Sequence, residues 1–392
     1  MRRVAVIGMG HTKFTANSPK TQMEMLSEAS MAAISGSNLK PKDIQAIFCG
    51  NVLGDFSEGQ GMVQSFLADD IGCSNIPATR FEGACASATM AIRDAFMWVA
   101  SGFYDIVLVG GTEKATAMGT PLATRTFAMF CDSRYEYPAG FTFPAFFAML
   151  AHLYASKYNI SLERLKEQMA QVSVQSHQYG ARNPNAQFQK EISVEKVLSG
   201  FMVTTPLQLL DCCPFSDGAA ALVLASEEAA KKLTDKPVYI AGVGQASSGK
   251  LSSQYKYLPR LYARDVSVKQ AYKMAGVGPE DIDVCELHDC FSIASIIAVE
   301  SLGFAEFGKG GELWGKGETQ INGKIPINIS GGLKSKGHPI GATGASQTYE
   351  IVRQLRGELV DQSRQVEGAK VGLVDTLGGD GIIVNLVLKT DK

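Results

Sequence analysis

Short, unbroken apolar runs alternate along this chain with stretches in which apolar positions recur every three or four residues. Residues 4–7 (Val4, Ala5, Val6, Ile7) form the first run, closed by Gly8, Met9 and Gly10. Helical spacing follows over about residues 23–35. The turn Pro41-Lys42-Asp43-Ile44 leads to a second strand at residues 46–49, and helical spacing returns over about residues 61–67. A strand over residues 75–81 and a helix over residues 87–101 flank a small-residue turn; in that helix Met90, Ala91, Ala95, Phe96 and Val99 recur at helical intervals. Residues 106–109 make a further strand that ends in Gly110-Gly111. Short apolar strands separated by helices predict an α/β fold with a mostly parallel sheet.

The same signals return in the second part of the chain. Residues 238–244, ending Gly242-Val243-Gly244, echo residues 4–10. Pro279-Glu280-Asp281-Ile282 echoes Pro41-Lys42-Asp43-Ile44 and again precedes a strand, residues 284–287. Residues 371–374 run on to Gly378-Gly379 much as residues 106–109 run to Gly110-Gly111. Three echoes in one order indicate two copies of one α/β unit. The reading is an N-terminal half over residues 1–235 and a C-terminal half over residues 236–392, with the boundary near Thr234-Asp235-Lys236-Pro237. Residues 115–205 fit neither copy and are too long for a simple connection, so they read as an inserted loop domain. The first unit resumes at Ser216-Asp217-Gly218 and the apolar residues 219–225.

Composition narrows the function. The 392 residues are 45% hydrophobic and 19% charged, which supports a large packed core. Lysine and arginine number 37 against 39 acidic residues, a balance that argues against nucleic acid as the main partner. The first apolar run is too short for a signal-peptide core, and the longest apolar stretch, residues 141–155, contains Pro144 and His152 and falls short of a membrane span. Eight scattered cysteines, with Cys212 and Cys213 adjacent and no C-x-x-C pair, predict a reduced, cytoplasmic protein without a structural zinc site.

Cys85, in Arg80-Phe81-Glu82-Gly83-Ala84-Cys85-Ala86-Ser87, stands where a strand meets the first turn of a helix. Free amide hydrogens there favour a thiolate, the nucleophilic form; a small buried hydrophobe is the alternative. Of only five histidines, His338 lies in a glycine-rich loop, residues 331–344, that corresponds in the second copy to the Cys85 turn. If the copies face one another, its neutral imidazole can deprotonate Cys85; a phosphate-binding turn is the competing reading. His288 and Cys290 follow a strand end, where α/β sheets place ligands. A His-x-Cys zinc pair lacks a second pair of ligands. The turn at residues 376–381 exposes amides suited to an oxyanion, or is a plain strand-to-strand turn.

These residues together resemble the thiolases over essentially the whole chain: Gly83-Ala84-Cys85-Ala86-Ser87, Gly337-His338-Pro339-Ile340-Gly341-Ala342-Thr343-Gly344, and His288-Asp289-Cys290-Phe291, the last as in the archaeal and sterol-carrier-protein-type branch. The resemblance implies a five-layer αβαβα fold of two similar halves with mixed sheets, assembled as a homodimer or homotetramer. It implies an acetyl-CoA C-acetyltransferase in which Cys85 carries the acyl group and His338 activates it. His288 would hold a water in one oxyanion site, and the amides of Cys85 and Gly378 would form the other. Ser247 and Ser248 would contact pantetheine. The family's second catalytic cysteine is missing, since Thr376 occupies its segment; Cys290 is the replacement, with Asp380 or His288 next. No metal and no separate cofactor are required beyond coenzyme A as part of substrate and product. In the archaeal branch the partners would be hydroxymethylglutaryl-CoA synthase and a small OB-fold protein. A longer-chain 3-ketoacyl-CoA thiolase and a non-catalytic acyl-CoA-binding or scaffold protein are the alternatives. Phe127, Met129, Phe130, Phe141 and Phe143 either crowd a short acyl pocket or are ordinary core residues of the insertion.

Overall fold

The computed structural model describes residues 1–250, 253–379 and 381–391. Its strands are β1 (Val4–His11), β2 (Ile47–Gly50), β3 (Ala78–Phe81), β4 (Ile106–Lys114), β5 (Met202–Thr204), β6 (Leu207–Gln208), β7 (Asp217–Ser226), β8 (Val238–Ser247), β9 (Val284–Glu286), β10 (Val371–Gly378) and β11 (Ile382–Lys389). Nine of them form one sheet in the order β3-β2-β4-β7-β1-β8-β11-β10-β9, and β5 pairs with β6 alone.

The duplication is written into that order. β1 and β8 meet antiparallel at Ala5–Tyr239 and Val6–Val238. Outward from this seam, β1-β7-β4-β2 on one side matches β8-β11-β10-β9 on the other. Each arm runs antiparallel, antiparallel, then parallel. β3 adds a parallel strand to the first arm, and a single parallel bridge, Cys285–Ile327, takes its place in the second.

The sheet is therefore mixed, not mostly parallel. The apolar residues 219–225 mark β7 but not its direction, and the alternation of strands and helices left β11 out of account. β11 follows β10 through a tight turn, which only an antiparallel pair permits, and β7 returns antiparallel between β1 and β4. Every residue of β7 is buried, so it reads as a continuous apolar run without the alternation of a one-sided strand.

Helices complete five layers. The Ser87–Ser101 and Thr343–Arg356 helices lie between the two arms. Ala88, Ala91, Phe96, Ile351 and Val352 pack there against Val4, Val107 and Leu222 of the first arm and Val238, Val374 and Leu386 of the second. The Gln22–Ser35 and Val63–Asp70 helices cover the outer face of the first arm, and the Tyr262–Ala275 and Ser292–Ser301 helices that of the second. Where the central helices start, backbones nearly touch: a Cβ on Gly344 would stand 1.9 Å from Thr89 Oγ1 and 2.7 Å from its amide nitrogen.

Residues 115–216 separate β4 from β7 and carry the β5–β6 hairpin and the Gly119–Phe127, Phe143–Tyr158, Leu162–Gly180 and Val194–Leu198 helices. Among the described residues no helix is long and apolar enough to cross a membrane.

Candidate active site

The Cys85 turn is held by its neighbours. β3 ends at Phe81, and a 3-10 turn over Ala84–Ala86 delivers Cys85 to the start of the Ser87–Ser101 helix. Ala84 sits at φ +47°, a left-handed conformation uncommon for a residue with a side chain and a feature of functional turns. The Ser87 hydroxyl locks it, accepting from the Gly83 amide at 2.9 Å and donating to the Ala84 carbonyl at 2.6 Å. Cys85 remains partly exposed.

His338 meets it from the other copy, with Nε2 3.1 Å from Cys85 Sγ. Which ring nitrogen carries the proton follows from the next shell. Thr343 Oγ1 donates to the Pro339 carbonyl at 3.1 Å. A hydroxyl has one hydrogen, so toward His338 Nδ1, 2.7 Å away, it acts as acceptor. The imidazole is thus protonated on Nδ1, and the Nε2 lone pair points at the thiol. The loop is anchored by Ser216 Oγ, which accepts from the His338 amide at 2.8 Å. Glu113 at the end of β4 also holds it, its carboxylate accepting from the amides of Val52, Leu53 and Gly341. Burial pushes the Glu113 carboxyl up to about 8 while those amides pull it down.

Charge is scarce here. Burial pushes the Cys85 thiol up to about 12, outweighing the backbone amide that favours the thiolate; Glu113 and Glu82 push the same way. Burial alone brings His338 down to about 3. Desolvation thus exceeds the pull of the helix start, which favours a neutral thiol beside a neutral imidazole and leaves His338 to act as the base.

His288 and Cys290 follow β9. The His288 ring meets that of His338 edge-on, centroids 5.0 Å apart. Burial, His338 and Arg264 hold His288 well below its ordinary value. Its amide reaches Asp375 Oδ2 at 3.5 Å, and Asp375 pairs with fully buried Arg264 at 2.9 Å. Cys290 is 7% exposed, and burial raises its thiol well above the ordinary range, followed by the nearby Cys213 and Cys85. Thr376 is sealed in a different role. It accepts from Thr89 Oγ1 at 2.8 Å and donates to Gln347 Oε1 at 2.9 Å, tying β10 to both central helices.

Gly378 ends β10 directly against the nucleophile turn: a Cβ there would stand 2.1 Å from the Gly83 carbonyl, so only glycine permits this approach. Ser247 ends β8 opposite Ile382, and the Ser248 amide donates to the Gly381 carbonyl at 3.1 Å. Both serines therefore flank the turn that carries Gly378. Asp380 lies outside the described residues.

The aromatic residues divide. Phe127 and Phe130 pack with Phe215 around Val52, Leu53, Met118 and Ile340, and Cys85 belongs to this cluster. Phe141 and Phe143 pack instead on the core of the second arm, and Met129 is 52% exposed. Thr343, Glu113, Phe215 and the Arg264–Asp375 pair were not singled out from sequence. Thr343 lay inside the glycine-rich motif, and Glu113 lies two residues beyond Gly110-Gly111, where β4 continues past the end read from sequence; for the Arg264–Asp375 pair the sequence carries no signal.

Cys85, His288 and His338 each offer a ligand atom, all within 4.8 Å of one another. A thiol and two imidazoles are donors that suit zinc, and the same closeness suits a nucleophile, its base and a polar partner.

Residues 4–228 match the family model described as thiolase, N-terminal domain, and residues 244–385 the one described as thiolase C-terminal domain-like. An acetyl-CoA acetyltransferase of Methanothermobacter thermautotrophicus is 43% identical over 381 residues, covering 97% of each chain. Sterol carrier protein 2 of Oryctolagus cuniculus is 35% identical over 402 residues, covering 99% of this chain and 72% of that protein. The solved structure of the Ltp2-ChsH2(DUF35) aldolase is similar with a TM-score of 0.83 at 26% identity, over 100% of this chain and 98% of that one.

Proposed function

We propose that this chain, which belongs to the thiolase family, is an acetyl-CoA C-acetyltransferase that condenses two acetyl-CoA molecules into acetoacetyl-CoA and free coenzyme A, and catalyses the reverse cleavage. The observation that carries the reading is Cys85 Sγ 3.1 Å from a His338 nitrogen whose lone pair faces it. The name of the relative at 43% identity supports the substrate.

The steps balance on this chain's own groups. His338 takes the Cys85 proton as sulfur attacks the thioester carbonyl. The carbon–sulfur bond to coenzyme A breaks, and the departing thiolate takes that proton back from His338, leaving acetyl-Cys85 and a neutral imidazole. When the second acetyl-CoA enters, His338 takes the proton of Cys290, and the opposite charges of imidazolium and thiolate offset the burial that disfavours each alone. Cys290 then removes a proton from the methyl carbon of the second acetyl-CoA. The carbanion attacks acetyl-Cys85, the acyl–sulfur bond breaks, and His338 returns its proton to Cys85. The amides of Cys85 and Gly378 serve one oxyanion. His338 and a water held by His288 serve the other. Ser247 and Ser248 meet the pantetheine arm. No metal or redox cofactor takes part.

A cytoplasmic homodimer or homotetramer is the proposed form. The neighbouring structure whose name includes DUF35 supports a partner protein; the OB-fold protein and hydroxymethylglutaryl-CoA synthase are the partners proposed from the resemblance. Intact-mass analysis after mixing with acetyl-CoA should show one acetyl group, on Cys85, and a panel of two-carbon to long-chain substrates should favour the shortest. An adduct elsewhere, or none under turnover conditions, rejects the assignment.

A further inference from the structure

We propose that Cys213 and Cys290 form a covalent modification site, a thiol pair that a low-molecular-weight disulfide converts into an intramolecular disulfide. Cys212 and Cys213 are adjacent cysteines that no step of the condensation uses. In the fold, Cys212 makes an isolated antiparallel bridge with Phe291. One residue along, the Cys213 amide donates to the Cys290 carbonyl at 2.9 Å, so Cys213 stands opposite Cys290.

Residues directly opposite in an antiparallel pair project to the same side, with Cβ atoms about 4.5–5.5 Å apart. A disulfide spans about 3.5–4.5 Å between Cβ atoms and tolerates Cα separations of roughly 4.4–6.8 Å. Closing the bond therefore needs only a small adjustment. Cys212 is engaged elsewhere: its thiol donates to the Gln208 carbonyl at 3.6 Å. Of the adjacent cysteines, Cys213 is the one whose backbone is bonded directly to Cys290.

Access sets the order of events. Cys213 is half-buried and Cys290 is buried, so an incoming disulfide meets Cys213 first. Burial holds both thiols well above their ordinary value, and buried Lys334 opposes this in both. Exchange accordingly speeds up as pH rises. The Cys213 thiolate attacks one sulfur of the reagent and releases one free thiol. Cys290 then attacks the mixed disulfide and releases the second. Two protein thiols are oxidised, one small disulfide is reduced to two thiols, and the two protons go to the released thiolates.

The functional consequence rests on the reading of Cys290 as the acid–base group: the bond removes that group and leaves Cys85 and His338 free. Oxidised glutathione at mildly alkaline pH, followed by non-reducing peptide mapping, tests the site directly. The expected result is a loss of two hydrogen masses, a peptide pair joined through Cys213 and Cys290, and a fall of about 10²-fold in condensation. Acetylation of Cys85 is retained, and dithiothreitol restores turnover. Cys213→Ser and Cys213→Ala proteins should keep condensing after the same treatment. Absence of the linked peptides, a bond to Cys85 instead, or variants as sensitive as the parent chain overturns the proposal. Linked peptides with undiminished condensation would confirm the site and reject the role of Cys290.

Discussion

The hydroxyl of Thr343 determines what His338 can do to Cys85. Because it donates to the Pro339 carbonyl, it accepts the Nδ1 proton of His338, and Nε2 is left as an acceptor 3.1 Å from the thiol. Replacing Thr343 by valine keeps the shape and removes the acceptor. Acetylation of Cys85 should slow by about 10², with thermal stability changed far less than the rate. Unchanged single-turnover acetylation in a folded Thr343→Val protein would show that the tautomer is set elsewhere.

The neutral resting pair has a pH signature. With Cys85 pushed up to about 12 and His338 down to about 3, neither group titrates between pH 5 and 9. A raised thiol pKa means that the thiolate fraction grows about tenfold for each pH unit below that value. Alkylation of Cys85 by iodoacetamide should therefore climb through pH 9 without levelling. A plateau near pH 6 would reveal a thiolate–imidazolium pair and contradict the burial argument.

Cys290 is the group on which carbon–carbon bond formation depends. Cys290→Ala should lose condensation and cleavage by about 10² to 10⁴, while Cys85 still takes up one acetyl group. Single-turnover acetylation and steady-state condensation, measured side by side, separate the half-reactions. Near-normal turnover would leave Cys290 a packing residue of the second-arm core and return attention to His288 or Asp380.

Chain-length preference should reside in the cluster around Cys85. Phe127 lies 5.2 Å from Phe215 and 6.2 Å from Phe130, ring centroid to centroid. Phe127→Ala opens space beside the acyl-bearing sulfur and should raise the ratio of eight-carbon to four-carbon ketoacyl-CoA cleavage by roughly tenfold. Phe143→Ala, on the other core, should leave that ratio unchanged. A shift from Phe143→Ala alone would place the acyl pocket elsewhere.

Much of this protein was legible from local signals. The strand–turn–helix that carries Cys85 is visible because small residues, a strand and a helical stripe are contiguous, and the observed Ser87–Ser101 helix has the bounds read from periodicity. The repeat of Pro41-Lys42-Asp43-Ile44 at Pro279-Glu280-Asp281-Ile282 marks the 3-10 turns Pro41–Asp43 and Pro279–Asp281, each leading to a parallel strand. The correspondence of the His338 loop with the Cys85 turn follows from the same repeat.

What the sequence by itself determined was which residues lie at the ends of strands and the starts of helices, since periodicity and turn chemistry act over a few neighbouring positions. Tertiary structure alone decided the rest. Strand direction was one such matter: β7 and β11 enter the sheet antiparallel, and an apolar run looks the same in either direction. Ionisation was another: the helix start favours a thiolate, but burial by residues distant in the chain, among them Ile340 and Phe215, prevails. The pairing of Cys213 with Cys290 and of Arg264 with Asp375 spans 77 and 111 positions. No local pattern encodes such pairs; they exist because two copies of one unit close around a shared layer of helices, and desolvation there sets the state of every group it encloses.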